Sequence, residues 1–219
     1  MKLEAILFDL DGTMWDALDG ICMTWNEVVA NHPEYRKEPI SAEELSGCLG
    51  LAMTEIAERL FPAVAPAQQQ QLMDECCALE NAYLSEHGGK LYPKLEDTLM
   101  ELKKNYKLFV VSNCQQGYIE SFIKAHKLSQ YFDDIECWGN NKLPKGENNK
   151  LIMERNHVTR AVYVGDTLGD EESARVAGIP FIYAAYGFGE AKAPDYVIEE
   201  FAQLPQVMER FSVSRHYRE

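Results

Sequence analysis

Residues 4–9 form a short apolar run, "AILF" at its centre, that ends on an acid, Asp9. Such a run predicts a buried strand. The period then changes. In "DALDGICMTWNEVVANH" the apolar positions Leu18, Ile21, Cys22, Trp25, Val28 and Val29 recur at helical spacing. Ser41 to Glu44, "SAEE", is a capping-box pattern that predicts another helix start. "LAMTEIAERLF" predicts a third helix. "PAQQQQLMDECCALENAYLSEHGG" predicts a fourth, opened near Pro66 and closed by Gly88-Gly89. Residues 16–88 therefore read as all-helical, with no strand signal.

After Pro93 the pattern alternates. Helices are predicted at about 94–105, 117–126, 146–157 and 170–177. They are interleaved with strands at "KLFVVSN", 135–138, "AVYVGD" and "PFIYAA". Apolar, β-branched strands alternating with helices predict an α/β protein whose parallel sheet carries helices on both faces. The predicted organisation is a core of residues 1–15 and 89–219, interrupted after its first strand by a helical cap of residues 16–88. The tail "SVSRHYRE" is expected to fray.

Composition narrows the function. The chain has 219 residues and a net charge of −14, with 46% hydrophobic and 26% charged residues. An acidic surface excludes a nucleic-acid partner, because phosphate backbones demand cationic surface. No apolar run approaches the ~20 residues that cross a bilayer, so no membrane partner is expected. The six cysteines show no CxxC spacing, which predicts reduced thiols and a cytoplasmic location. The adjacent Cys76-Cys77 is expected to pack within its helix. The five histidines pair with no motif and are read as structural or surface residues.

In open parallel sheets ligands sit at the carboxyl ends of the strands. The first strand delivers Asp9, Asp11, Gly12 and Thr13 there, and the "FVV" strand delivers Ser112 and Asn113. The loop "PKGEN" brings Lys145, and "GDTLGD" brings Asp166 and Asp170. Each has an ordinary structural explanation. Asp9 and Asp11 could serve a turn, Ser112 a helix cap, Lys145 the surface, and Asp166 and Asp170 a helix dipole. Together they place four carboxylates, a hydroxyl and an ammonium at one sheet edge. Asp9 and Asp11 are two apart, and in extended backbone they would share a face, with Leu10 turned to the core.

These residues resemble the haloacid dehalogenase superfamily, mostly phosphatases. "DLDGT", the serine of "VVSN", the lysine of "PKGEN" and "GDTLGD" match its four motifs in order, across nearly the whole chain. With "AAYGFG" and the helical insert, the chain is most similar to the phosphoglycolate phosphatase-like and β-phosphoglucomutase-like branch. The resemblance implies a Rossmann-like core and a Mg²⁺-dependent phosphomonoester hydrolase acting on a small phosphorylated metabolite, as a monomer or homodimer. It implies Asp9 as nucleophile and Asp11 as general acid and base. It further implies Mg²⁺ held by Asp9, the Asp11 backbone carbonyl and Asp166, with Asp170 beside them. Ser112, Lys145 and the backbone around Gly12 and Asn113 would hold the phosphate. A phosphosugar mutase would keep the same core residues, and a catalytically silent interaction protein is the non-enzymatic alternative. Dehalogenation fits poorly, since it needs neither Asp11 nor the Asp166/Asp170 pair. A signalling receiver domain would be shorter and lack the insert. Two positions depart from the usual family pattern. Trp15 lies where the chain leaves the core, and Lys94 stands where glycine is frequent. Trp15, Trp25 and Arg59 are candidate substrate contacts.

Overall fold

The computed structural model describes residues 3–213. Six strands form one parallel sheet: β1 (Ala5–Phe8), β4 (Lys107–Ser112), β5 (Asp134–Cys137), β6 (Ala161–Gly165), β7 (Phe181–Ala184) and β8 (Tyr196–Ile198). Their order is β5-β4-β1-β6-β7-β8, so the connections run outward from β1 in one direction and then, from β6, in the other. The crevice between such divergent connections is where α/β sheets bind ligands. Here it lies at the carboxyl ends of β1 and β6.

Alternation along the strands makes two hydrophobic layers. Ile6, Phe8, Val110 and Val164 face one side, and Ala5, Leu7, Phe109 and Tyr163 face the other. The helices α5 (Leu95–Lys103), α6 (Tyr118–His126), α8 (Lys145–Arg155) and α9 (Leu168–Ala177) follow the predicted alternation. A short helix α7 (Trp138–Asn141), the strand β8, a 3₁₀ turn (Phe201–Gln203) and α10 (Leu204–Val213) complete it. The remainder of the tail expected to fray, residues 214–219, lies outside the described residues.

Between β1 and α5 lies the helical insert, α1 (Leu18–Asn31), α2 (Ala42–Ser46), α3 (Met53–Leu60) and α4 (Pro66–His87). The capping box at Ser41 is present, with Glu44 N–H on the Ser41 side chain and Ser41 N–H on the Glu44 carboxylate. Pro66 opens α4, where its missing N–H leaves no helical bond unmade. One expectation needs correcting. The insert is not wholly without strand, because its two connections pair as an antiparallel ribbon, β2 (Trp15–Asp16) with β3 (Lys90–Leu91). Two-residue strands carry no periodicity, so only the structure reveals them.

Lys94, the residue just before α5, has φ of 60°, a left-handed conformation that explains why glycine suits this position. All six cysteines are unpaired; Cys76 is buried and Cys77 half-buried within α4. No helix among the described residues is long and apolar enough to cross a membrane.

Candidate active site

Asp9 follows the last paired residue of β1, and its N–H donates to the Val164 carbonyl of β6. Chain extension then stops. The Leu10 carbonyl accepts the N–H groups of Thr13, Met14 and Trp15, closing a tight turn. Gly12 sits in that turn at φ +74°, and a Cβ there would lie 2.2 Å from Asp166 Oδ2. A side chain is therefore excluded both by the backbone conformation and by the carboxylate packed on it.

The turn changes one expectation. Asp9 and Asp11 are not delivered by strand alternation, since the strand ends at Phe8. Leu10 is buried in the core as expected. Asp9 faces Lys145, whereas Asp11 faces a different set of groups. Its Oδ1 accepts from Tyr118 Oη at 2.7 Å and from Trp15 Nε1 at 2.9 Å. Trp15 is fully buried, with its ring edge-on to Tyr118 and Phe122.

Lys145, the first residue of α8, is 4% exposed, which removes the surface-lysine alternative. A cation at a helix N-terminus opposes the helix dipole. Carboxylates compensate it: Nζ lies 2.9 Å from Asp9 Oδ1 and 2.7 Å from Asp170 Oδ1. Asp170 does two jobs. Its Oδ2 accepts from the Thr167 N–H and hydroxyl, capping α9, while Oδ1 takes Lys145. Asp166 is fully buried and held by the Phe188 N–H at 2.7 Å. Gly187 packs against it so closely that a Cβ would fall 2.3 Å from Asp166 Cβ.

Asp9, Asp166 and Asp170 thus offer carboxylate oxygens that lie within 4.8 Å of one another. Burial and the neighbouring Asp170 push the Asp9 carboxyl up to about 6, against Lys145. Burial, Asp170 and Asp9 push Asp166 up to about 8. Burial draws the Lys145 ammonium down, but Asp170 and Asp9 outweigh it and leave it raised. Three buried acids facing one ammonium are under-compensated, and a hard all-oxygen set is what Mg²⁺ prefers. The residues present therefore fit a divalent cation.

Ser112 ends β4, buried, and lines a cleft together with Asp11 and Asn113. It does not cap α6, whose N-cap is Gly117. The Asn113 side chain donates to the Gly50 carbonyl of the insert at 2.9 Å, tying insert to core. Burial pushes Asp11 up to about 7, against the Tyr118 hydroxyl that pulls it down.

Several groups at this edge carry no sequence signal of their own. Tyr118 is an ordinary amphipathic-helix residue in the chain. The Phe188 N–H and Gly187 belong to "AAYGFG", a glycine-rich end to a strand whose contact with Asp166 appears only in three dimensions. Glu80 is different. It falls in the buried stripe Leu72, Met73, Cys76, Glu80, Leu84 of α4, and an acid in an apolar stripe could have been singled out. Of the candidate substrate contacts in the insert, Trp25 lines the cleft. Arg59 instead donates to the Gly47 carbonyl.

Comparison with known proteins places this arrangement. The model of the haloacid dehalogenase-like hydrolase family matches residues 6–184. A phosphoglycolate phosphatase of Vibrio parahaemolyticus is 26% identical, over 94% of this chain and 96% of its own. One from Yersinia pestis is 27% identical, over 92% and 91%. Among solved structures, a predicted phosphoglycolate phosphatase from Haemophilus somnus superposes with a TM-score of 0.82 at 19% identity, covering 94% of this chain and 98% of its own. CbbY from Rhodobacter sphaeroides, in complex with phosphate, gives 0.78 at 23% identity, covering 92% and 96%. With its family model spanning most of the chain and its fold shared by these structures, the chain belongs to the haloacid dehalogenase-like hydrolases.

Proposed function

We propose that this chain is a Mg²⁺-dependent phosphomonoester hydrolase of the phosphoglycolate phosphatase-like type, acting through an aspartyl-phosphate. The observation that carries the reading is the separation of its acids. Asp9 is held by Lys145 beside Asp166 and Asp170, while Asp11 is held apart by Trp15 and Tyr118. Two carboxyls of one turn thus receive different environments, as nucleophile and proton carrier require.

The Asp9 carboxylate attacks phosphorus, and the bond to the leaving oxygen breaks as Asp11 gives that oxygen its proton. Water then attacks the aspartyl-phosphate, losing its proton to Asp11, and phosphate leaves with Asp9 restored. Lys145 offsets charge on Asp9 and the phosphoryl oxygens, and Ser112 and the backbone around Gly12 and Asn113 hydrogen-bond them. Mg²⁺ would be held by Asp9, Asp166 and the Asp11 carbonyl, with Asp170 alongside. When bound it supplies the positive charge that lets two anions meet. Residues 16–88 act as a cap over a core of 1–15 and 89–219. The ribbon that joins their connections and the cleft lined from both sides support this division.

The test is phosphate release from p-nitrophenyl phosphate and a panel of small phosphomonoesters. Turnover should require Mg²⁺, vanish with chelator and return on adding the metal. Full turnover in chelator contradicts the reading. Isomerisation of a sugar phosphate without release would favour a mutase, and inert protein would favour an interaction role.

Tyr118→Phe tests the positioning of Asp11. A hydrogen bond to a charged group is worth ~1.5–3 kcal/mol, so kcat should fall roughly 10- to 100-fold. KM should hardly move, because the hydroxyl's proton is committed to Asp11. An equal rise in KM with kcat unchanged would mean that Tyr118 contacts substrate instead.

A further inference from the structure

The phosphate end of the cleft is described above; its other end is chemically distinct. Beyond Asp11 and Ser112 the walls include Ile21, Trp25, Leu49, Met53, Ile56 and Glu80 of the insert. No lysine, arginine or histidine lines the cleft. Its lining carboxyls are Asp11 and Glu80. The insert cation Arg59, which donates to the Gly47 carbonyl, and Lys142, which lies over the Trp138 ring, are both outside the lining.

Glu80 is buried and fixed on both oxygens. Trp25 Nε1 donates to Oε2 and Gln115 Nε2 to Oε1, the latter at 3.1 Å. This joins the insert, through α1 and α4, to the core loop after β4. A carboxyl placed among Leu72, Cys76 and Leu84 weakens packing unless it has a polar partner or task. Burial pushes it up to about 8, with Trp25 and Gln115 pulling it down and Asp11 adding to the rise. With Trp25 and Gln115 donating to its two oxygens, it presents hydrogen-bonding oxygens at the cleft wall.

From this we infer that the cleft takes phosphomonoesters of uncharged, largely apolar alcohols and discriminates against esters that carry a second anion, phosphoglycolate included. The inference rests on the phosphatase reading and specifies its substrate class. A distal carboxylate would enter apolar walls beside Asp11 and Glu80 with no cation to meet it. Such a charge would stay unpaired, which is how binding sites reject wrong ligands. An uncharged chain or ring would instead cover Ile21, Met53 and Ile56 and could place a hydroxyl against Glu80. The relatives named for phosphoglycolate share the fold at about a quarter identity, which leaves the cleft lining free to differ.

The experiment compares kcat/KM of the Mg²⁺-loaded protein for benzyl phosphate, butyl phosphate, O-phosphoethanolamine and phosphoglycolate, with p-nitrophenyl phosphate as a general reporter. The uncharged esters should exceed phosphoglycolate by about 100-fold or more. Leu49→Arg adds a cation at the half-buried cleft wall without touching the Glu80 contacts. It should narrow that ratio at least ~10-fold by raising phosphoglycolate turnover. Glu80→Lys should act in the same direction if it folds. Phosphoglycolate hydrolysed as well as the uncharged esters by unmodified protein overturns the inference and leaves the phosphatase reading standing. Preference for O-phosphoethanolamine over butyl phosphate overturns the uncharged class in favour of a cationic one. No hydrolysis of any ester, p-nitrophenyl phosphate included, removes the phosphatase reading and the inference with it.

Discussion

Asp9→Asn should reduce Mg²⁺-dependent hydrolysis of p-nitrophenyl phosphate by at least about 10³-fold, because an amide oxygen is a poor nucleophile toward phosphorus. The fold should survive. Asparagine keeps the shape of the side chain and its contact with Lys145 through the amide oxygen. It also removes one of three buried acids that repel each other, Asp9, Asp166 and Asp170. The urea unfolding midpoint of the metal-free variant should therefore match or exceed that of the parent, as is common when an active-site charge is neutralised. Two readouts separate the nucleophile from its neighbours. Unmodified protein quenched during turnover should carry a hydroxylamine-sensitive phosphoryl group that maps to Asp9. Asp11→Asn should lose turnover while still forming that label with p-nitrophenyl phosphate, whose leaving group departs without help from an acid. A variant at Asp9 that keeps a tenth of parental activity, or a label mapping to Asp11, would refute the assignment.

The central strands β1, β4 and β6 were legible because each holds a continuous apolar run, and parallel strands buried on both faces read that way. Ala5–Phe8, Phe109–Val111 and Ala161–Val164 are buried throughout. The insert helices were legible from periodicity and caps, Ser41 and Pro66 above all. The helices α7 and α10 were not predicted, and two other kinds of feature escaped as well. β2, β3 and β8 span two or three residues and have no period to detect. The placement of Asp11 depends on where a strand stops, and a turn closed on a single carbonyl leaves no mark beyond "DG". Spacing brought Asp9, Lys145 and Asp170 to one edge, and the structure joins all three by hydrogen bonds. Trp15 drew notice as a departure from pattern, but its use was unreadable without Tyr118, which lies more than a hundred residues along the chain. Glu80 went unremarked, although an acid in an apolar stripe is an anomaly the sequence displays. Its meaning depends on Trp25 and Gln115, which belong to other elements.

Lys145→Met keeps much of the side-chain volume and removes the ammonium, leaving Asp9 and Asp170 buried without their cation. Breaking a buried ion pair by deleting one partner costs ~3–5 kcal/mol, and that loss should appear in the urea unfolding of metal-free protein. Turnover should fall by about 10²- to 10³-fold, since the charge that offsets Asp9 and the phosphoryl group is gone. Packing alone cannot explain a result of this size, because methionine fills most of the lysine stem. Mg²⁺ supplies the decisive comparison. A ligand that binds only the native state stabilises it by RT ln(1 + [L]/Kd), so tighter binding gives a larger shift at equal concentration. Mg²⁺ held by Asp9 and Asp170, as proposed, would compete with Lys145 for those carboxylates. Removing the lysine should therefore strengthen Mg²⁺ binding, and added Mg²⁺ should raise the midpoint of the variant more than that of the parent. An equal or smaller shift in the variant would show that Lys145 and the metal do not share Asp9 and Asp170. A loss below ~1 kcal/mol in the metal-free protein would show that the ammonium is not what balances those carboxylates.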